Sequence, residues 1–274
     1  MHVKNNLWYG DLHIHTNLSF CSPQEIVPES YLPLIEGEEL SVLGFANHLY
    51  SKSWLNDAKG EYPGVERVLQ IRPQLEEMKK KTKARILLGC EVETFIDQEP
   101  TLPRCYAGEF DYILLAASHI VNVSKEYTKY DIYHPDSLRD ILIERFLYVC
   151  HLDYNVPTGI CHPLYPICSS FEQEVVDGIS DSVLSDCFST AAKHNLSIEI
   201  HACLFRGGTR LNSNGISPSY LRILSAALSC GCHFHFGVDA HTSEAFKGKH
   251  AILKNAASSI GITEDNMWNF PGLC

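Results

Sequence analysis

The stretch LWYGDLHIHT, residues 7–16, starts with apolar side chains and ends in an acid and two histidines. Its apolar start predicts a strand over Leu7–His13, and His13 and His15 stand two residues apart. Side chains at positions i and i+2 of a strand point to the same face, so the two imidazoles form a compact metal-chelating pair. Taken alone, such a pair is equally compatible with two buried structural histidines.

Six further apolar segments end in the same way, and this repetition favours metal binding as the role of the histidine pair. They predict strands over Val42–Asn47, Arg85–Val92, Tyr112–Ser118, Thr158–Cys161, Ser197–His201 and His233–Val238. Each ends at or beside a histidine, aspartate or glutamate: His48, Glu91, Glu93, His119, His162, Glu199, His201, Asp239 and His241. The barrels of α/β proteins carry their catalytic groups at the carboxyl ends of the strands, so we expect these side chains to meet.

Longer amphipathic segments separate the predicted strands. They predict helices over Pro28–Leu40, Gly64–Lys83, Pro135–Leu152, Asp181–His194, Pro218–Cys230 and Ser243–Ser259. Glu99–Glu109 and Cys203–Ser217 are expected to be irregular loops that reach over the active site. Strands that alternate with helices predict a barrel-like α/β fold, and we expect one domain over residues 1–274.

The composition of the chain excludes some classes of protein and disfavours some binding partners. The chain has 274 residues, a net charge of −11, 45% hydrophobic and 20% charged residues, which excludes disorder and coiled coil. The acidic balance disfavours nucleic-acid polymers and anionic membranes as partners. The sequence suggests neither a secretory leader nor a membrane span, so we expect a cytoplasmic protein whose 11 cysteines are mostly free thiols.

The 14 histidines are about twice the number expected for this length. Imidazole and carboxylate ligands suit zinc, manganese or iron. More candidate ligands stand at the strand ends than one ion can use, so we expect two or three divalent ions. A centre of this kind is typical of hydrolytic enzymes.

These motifs resemble the PHP family, named after polymerase and histidinol phosphatase. The similarity rests on Asp11-Leu12-His13-Ile14-His15-Thr16 and Asp239-Ala240-His241, and it extends over the chain between them. It implies a distorted (β/α)7 barrel with a three-metal centre. His13, His15, Glu91 and Asp239 would then hold one ion. Glu91 would bridge to a second ion on His119 and His162, and His48 and His241 would hold a third.

Within the family, the chain is most similar to the histidinol phosphatases. The segment Glu199–Arg206 has the spacing of their glutamate-to-arginine segment, which implies that Arg206 contacts substrate phosphate. The alternative is an ordinary surface arginine. The implied activity is hydrolysis of a small phosphate monoester, histidinol phosphate first. A nucleotide or other phosphorylated metabolite is an alternative substrate, and a degenerate metal-binding module is an alternative function. A homo-oligomer is compatible with the sequence.

The chain departs from the family pattern at several positions. Cys21 replaces a histidine that often completes the third metal site, so it is either a thiolate ligand or an inert filler. Asn47 replaces an aspartate before His48, which predicts weaker metal affinity. His201 replaces an asparagine and is a substrate contact, a proton donor or a polar wall residue. Leu164–Ile167 lacks a basic residue often found there.

Three side chains are candidates to protonate the leaving alkoxide: Asp239, His201 and His241. The remaining histidines have structural interpretations. We expect His2, His134, His151, His194 and His250 to be solvated. We expect His233 and His235 to share a face at the start of the last strand, inside the barrel or against a helix.

Overall fold

The structure is a computed structural model. It describes residues 6–49, 64–94, 99–119, 134–167, 169–205, 209–270 and 273. Among these residues, no helix has the length and apolar character needed to cross a membrane.

A seven-stranded parallel sheet forms the centre of the molecule, and its strands follow one another in chain order. They are β1 Gly10–Ile14, β2 Val42–Leu49, β3 Arg85–Glu93, β4 Tyr112–Ala116, β5 Thr158–Cys161, β6 Ser197–His201 and β7 Phe234–Gly237. A parallel bridge between Ile14 and Ala240 joins the first strand to the end of the last. The sheet therefore closes into the predicted (β/α)7 barrel.

Asp11 secures this closure. Its two carboxylate oxygens accept the backbone N–H groups of His13 at 3.0 Å and of Val238 at 2.9 Å. Beyond it, the Asp239 N–H donates to the His13 carbonyl at 2.9 Å. The acid of the first motif thus ties the strand that carries His13 to the strand that ends at Asp239.

Helices surround the strands and cover their outer faces. The described helices are α1 Leu32–Gly37, α2 Val65–Val68, α3 Arg72–Lys79, α4 Pro135–Cys150, α5 Glu172–Gly178, α6 Asp181–Lys193, α7 Pro218–Ser229, α8 Ser243–Phe246 and α9 Lys249–Ser259. Pro135 and Pro218 each occupy the first turn, where proline loses no hydrogen bond. The Ser217 side chain accepts the Tyr220 N–H and caps α7.

Glycine makes the barrel interior narrow enough to be filled by single large side chains. A Cβ atom on Gly89 would lie 2.2 Å from Cζ of Tyr112, so only glycine admits this ring. The buried Tyr112 hydroxyl crosses the barrel and donates to the Leu12 carbonyl at 2.5 Å. The interior beneath the strand ends is therefore packed.

Several predicted boundaries were wrong. The segment Gly64–Lys83 is α2 and α3 joined by a 3₁₀ turn, and Ser243–Ser259 breaks between α8 and α9. Gly248 has φ of 73° at this break, a left-handed conformation that ends helical geometry. Helix α5 was not predicted. The start of the first predicted strand, Leu7–Tyr9, is a 3₁₀ turn.

Candidate metal centre

Glu91 lies at the middle of the predicted ligands. Its Oε1 is 2.8 Å from Nε2 of His162, and its Oε2 is 2.6 Å from Nδ1 of His48 and 3.3 Å from Nε2 of His13. The side chain is fully buried. Burial opposes its ionisation, but His48 and His13 hold the Glu91 pKa well below its usual range. Glu91 is therefore a carboxylate at the meeting point of several strands.

Asp239 follows β7 and lies beside His13 and His15, the two histidines that Glu91 also approaches. Its Oδ1 is 3.1 Å from Nε2 of His15 and 3.8 Å from Nε2 of His13. Asp239 has φ of 55° and His162 has φ of 32°, a region that residues other than glycine rarely occupy. Such backbone costs about 1–3 kcal/mol per residue and is concentrated at functional sites. The chain thus accepts strain directly after β5 and β7 to aim both side chains inward.

Two atoms of this cluster test whether a cation fits. His13 Nε2 and Glu91 Oε2 are buried, and neither makes a hydrogen bond of regular geometry among the described residues, although Oε2 lies 2.6 Å from Nδ1 of His48. A buried unpaired polar atom is costly unless something else satisfies it. Divalent ions accept electron pairs from imidazole nitrogen and carboxylate oxygen alike. The donor set therefore fits metal ions bound between these atoms.

The structure also orients the imidazoles through their second nitrogens. Nδ1 of His13 lies 2.7 Å from Oε1 of Glu199, and Nδ1 of His119 lies 2.7 Å from Oε1 of Glu93. A carboxylate accepts only, so each Nδ1 carries the proton and Nε2 keeps its lone pair for a metal. Glu93 and Glu199 stand at predicted strand ends, but the sequence predicts no role for either of them.

Glu199 has space because the neighbouring strand carries glycine. A Cβ atom on Gly237 would lie 1.8 Å from Oε1 of Glu199. Oε2 of Glu199 accepts the His162 N–H at 2.6 Å, so one carboxylate holds parts of two candidate ligands. Burial opposes its charge, but His13 and His201 lower the Glu199 pKa to about 2.

Ser19 orients His15 in the same manner. The Ser19 hydroxyl donates to Oδ1 of Asn47 at 2.9 Å, and its oxygen accepts the His48 N–H at 3.2 Å. Nδ1 of His15, 3.0 Å from this oxygen, must therefore donate. Asn47 Oδ1 also accepts the Thr16 N–H at 2.8 Å. Asn47 thus holds the loop after β1, and the predicted loss of metal affinity at this position stays a prediction.

The glutamate-centred cluster continues outward into a second group, formed by His48, His241 and Cys21. The rings of His48 and His241 each stack on His15 with centroids 4.3 Å apart. The ligand atoms of the three histidines lie within 4.8 Å of one another. We call Cys21, His48 and His241 the outer group, and the cluster of Glu91, Asp239, His13, His15, His119 and His162 the inner centre.

Cys21 belongs to the outer group. Desolvation opposes its ionisation, but hydrogen bonds with His241 and His48 lower the Cys21 pKa to about 6. Nδ1 of His241 lies 3.1 Å from the Asp239 carbonyl and donates to it, which leaves Nε2 for a ligand. The thiol and both imidazoles therefore present donor atoms suited to a soft divalent ion.

His201 differs from the other histidines of the cluster. Its Nδ1 accepts the Cys203 N–H at 3.0 Å, so the proton of the neutral ring is on Nε2. That Nε2 lies 3.3 Å from Oδ2 of Asp239 and donates to it. In this tautomer His201 is a hydrogen-bond donor above the cluster and not a metal ligand.

Arg206, the predicted phosphate contact, lies outside the described residues, as does His2. Two predictions for other histidines were wrong. His250 is buried and donates from Nε2 to the Gly10 carbonyl at 3.0 Å. His233 is exposed because β7 starts one residue later, whereas His235 is inside the barrel with Nδ1 2.5 Å from Oγ of Ser197. His134, His151 and His194 are exposed as predicted.

Comparison with solved structures supports the fold, whereas two comparisons of sequence find no match. No family model matches the chain, and no curated protein matches it significantly in sequence. Among solved structures, the chain is similar to the putative histidinol phosphatase HisK from Listeria monocytogenes, with a TM-score of 0.68, 15% identity and coverage of 89% of this chain and 99% of that chain.

A second solved structure is histidinol phosphate phosphatase from Lactococcus lactis subsp. lactis Il1403. It has a TM-score of 0.66 and 16% identity, and the match covers 97% of each chain. That protein was crystallised with zinc, L-histidinol and phosphate. The resemblance to the histidinol phosphatases of the PHP family is thus confirmed in fold.

Proposed function

We propose that the chain is a metal-dependent phosphatase that hydrolyses a small phosphate monoester. The observation that carries the proposal is the inner centre at the carboxyl ends of the strands, where buried Glu91 Oε2 lies 2.6 Å from Nδ1 of His48 and 3.3 Å from Nε2 of His13. This His13 nitrogen makes no hydrogen bond among the described residues. A protein of the same fold binds zinc, L-histidinol and phosphate, which supports this chemistry.

The donor atoms support one assignment of the ions. His13, His15, Glu91 and Asp239 would hold the first ion, and Glu91, His119 and His162 the second. His48 and His241 would hold a third ion together with Cys21, because both imidazoles contact the thiol. We propose zinc for the inner centre, with manganese or iron as substitutes, and a soft ion for the outer group.

Metal ions in such a centre lower the pKa of water and offset the negative charge of the phosphoryl oxygens. The residues of the chain would supply the remaining functions. Glu91 and Asp239 provide the negative charge that balances the ions, and Glu199 and Glu93 keep the imidazoles in the binding tautomer. Arg206 would hold a phosphoryl oxygen through its guanidinium fork.

His201 is the best placed of the three candidate proton donors. Its Nε2 carries a proton that points at Asp239, whereas Asp239 is an acceptor whose pKa lies well below its usual range despite burial. His241 uses Nδ1–H on a backbone carbonyl and offers a lone pair at Nε2. We therefore propose that His201 protonates the leaving alkoxide.

We propose histidinol phosphate as the substrate, which rests on the ligands of the Lactococcus lactis protein. The test is a panel of phosphorylated metabolites, with p-nitrophenyl phosphate as a general probe, assayed with zinc, manganese and iron. Turnover of p-nitrophenyl phosphate by the native chain, absent in a variant carrying Glu91→Ala and His119→Ala, supports the phosphatase. A His151→Ala variant, which changes an exposed histidine, is the matched control.

The two levels of this proposal fail separately. If another phosphorylated metabolite is hydrolysed and histidinol phosphate is ignored, the named substrate is wrong and the reaction class stands. If the metal-loaded native chain is no faster than the double variant on every substrate, the phosphatase proposal is wrong.

A further inference from the structure

We propose that Cys161 is a ligand of the inner centre and supplies a thiolate beside His13 and His162. The inference rests on the metal-dependent function proposed above and adds a ligand that neither the motifs nor the resemblance indicates. On binding, the S–H bond breaks, the proton leaves to solvent, and the sulfur donates an electron pair to the ion.

The direction of the Cys161 side chain follows from its strand. Gly159 faces the barrel interior, since a Cβ atom at that position would lie 2.8 Å from the ring of His235. Side chains two residues apart on a strand share a face, so Cys161 also points inward. It is fully buried, and its Sγ lies 3.7 Å from Oε1 of Glu91.

The sulfur stands among atoms that suit a metal ion. The ligand atoms of His13, Cys161 and His162 lie within 4.8 Å of one another. Neighbouring nitrogen and sulfur ligands of a tetrahedral zinc ion are roughly 3.5 Å apart, from bond lengths of about 2.1 and 2.3 Å. Cys161 therefore lies beside a proposed ligand of each inner ion, His13 of the first and His162 of the second, and an adjustment of about 1 Å would bring its sulfur to either.

His13 provides an independent observation. Its Nε2 is completely buried, lacks a hydrogen-bond partner among the described residues and belongs to the same set of atoms. Its other nitrogen is already committed to Glu199 at 2.7 Å. The lone pair of His13 therefore points into the space that Cys161 borders, which is where an ion would satisfy both.

A thiolate in the inner centre has a consequence for the choice of metal. Sulfur is a soft ligand that binds zinc and iron more strongly than manganese. A structural thiol that only donates a hydrogen bond to Glu91 would leave this preference unchanged. The two roles of Cys161 are therefore distinguishable by spectroscopy and by metal preference, independently of activity.

The experiment loads the full chain with Co²⁺ and records the thiolate-to-cobalt charge-transfer band in the near ultraviolet. Cobalt per chain is measured in each sample. The variants are Cys21→Ser, Cys161→Ser and the double variant. Cys90→Ser is the matched control, because Cys90 is buried beside Glu91 in sequence but lies on the other face of β3.

We expect the band to persist in Cys21→Ser, to weaken in Cys161→Ser and to vanish in the double variant, with Cys90→Ser unchanged. We also expect Cys161→Ser to reduce the affinity for zinc about tenfold or more relative to manganese. The Cys21→Ser sample leaves Cys161 in place, so this arm does not depend on the folding of a Cys161 variant.

Two results would overturn the inference. If Cys21→Ser alone abolishes the band while the cobalt content of the inner centre is retained, or if Cys161→Ser has the full band, Cys161 is not a ligand and the phosphatase proposal stands. If the native chain binds no cobalt, the metal-dependent function fails together with this inference.

Discussion

The inner centre and the outer group use the same kinds of side chain, but they are held differently. In the inner centre, His13 and His119 are buried, and the carboxylates of Glu199 and Glu93 fix their Nδ1 atoms at 2.7 Å. In the outer group, the side chain of His241 is 28% exposed, and its Nδ1 lies 3.1 Å from the Asp239 backbone carbonyl and 3.6 Å from Asp239 Oδ1. Cys21 is exposed.

This difference determines how strongly each region can bind an ion. Buried imidazoles that carboxylates already orient lose little freedom when a metal binds, whereas the exposed Cys21 and the part-exposed His241 must be ordered first. We therefore expect tight binding in the inner centre and exchangeable binding in the outer group. Each of the following predictions would sharpen or break this contrast.

The largest effect is expected for Glu91→Gln. The change removes negative charge where His13, His48 and His162 converge, while the size of the side chain is kept. We expect a loss of kcat/KM of about a thousandfold or more, equal to about 4 kcal/mol of transition-state stabilisation. The measurement is p-nitrophenyl phosphate hydrolysis with metal content determined on the same sample.

Glu174→Gln, on the exposed surface of α5, is the matched control and should be neutral. A Glu91→Gln variant that keeps its ions and its activity would show that the inner centre does not depend on this carboxylate.

A smaller effect is expected for Glu199→Gln. The amide has the same shape as the carboxylate but lacks the charge that orients His13. Its NH₂ group can also take the place of the oxygen that now accepts the Nδ1–H of His13. We expect zinc affinity to fall about 10- to 100-fold, as is typical when a group behind a metal ligand is changed. Competition with a chelator measures this, and an unchanged affinity would mean that Glu199 only fills space.

The stability of the fold should depend on pH through His250, which is buried and donates to the Gly10 backbone carbonyl. Desolvation lowers the pKa of His250 to about 4. In the unfolded chain His250 has a pKa of about 6.5. The unfolded state thus binds more protons between these values, so this contribution is complete above pH 6.5 and is lost as the pH falls towards 4.

We expect about 1–2 kcal/mol of stability to be lost on this account between pH 7 and pH 5. His250→Gln, which keeps an N–H donor for the Gly10 carbonyl, should remove this part of the pH dependence. Urea denaturation of metal-free protein at several pH values measures it, with His233→Gln as the exposed control. Parallel pH profiles for the native chain and His250→Gln would contradict the assignment.

The smallest effect is expected for Cys21→Ser. Serine removes the soft donor from the outer group but leaves His48 and His241 in place. We expect about tenfold weaker binding of the most labile ion and little change in the ions of the inner centre. Metal titration followed by calorimetry resolves the classes of site. If the tightest class is lost instead, the ranking of the two regions is reversed.

Much of the fold was predictable because each apolar segment is followed by a histidine or an acidic residue that marks the end of a strand. The apolar segments gave the order of the seven strands, and the polar residue after each segment gave the side of the barrel where the site lies. The boundaries of α8 and α9 were less predictable, since the pattern of apolar residues continues across Gly248 and only its positive φ breaks the helix.

The candidate ligands were predictable as residue types at strand ends, but the groups that orient them were not. Glu199 and Ser19 contact their histidines across 186 and 4 residues, and no spacing rule connects Glu199 to His13. Glu93 could have been found, because it follows Glu91 by two residues and must share its face. The inward direction of Cys161 depends on Gly159 and His235, which only the packed barrel brings together.

The measurement that tests the account most directly is the number of zinc ions retained per chain after dialysis against a weak chelator. Two retained ions, with a third that binds only when zinc is added back, are the predicted result, and phosphatase activity should follow the first two. One retained ion or none, in a chain that is folded by circular dichroism, would contradict a two-ion inner centre and favour a degenerate metal-binding module.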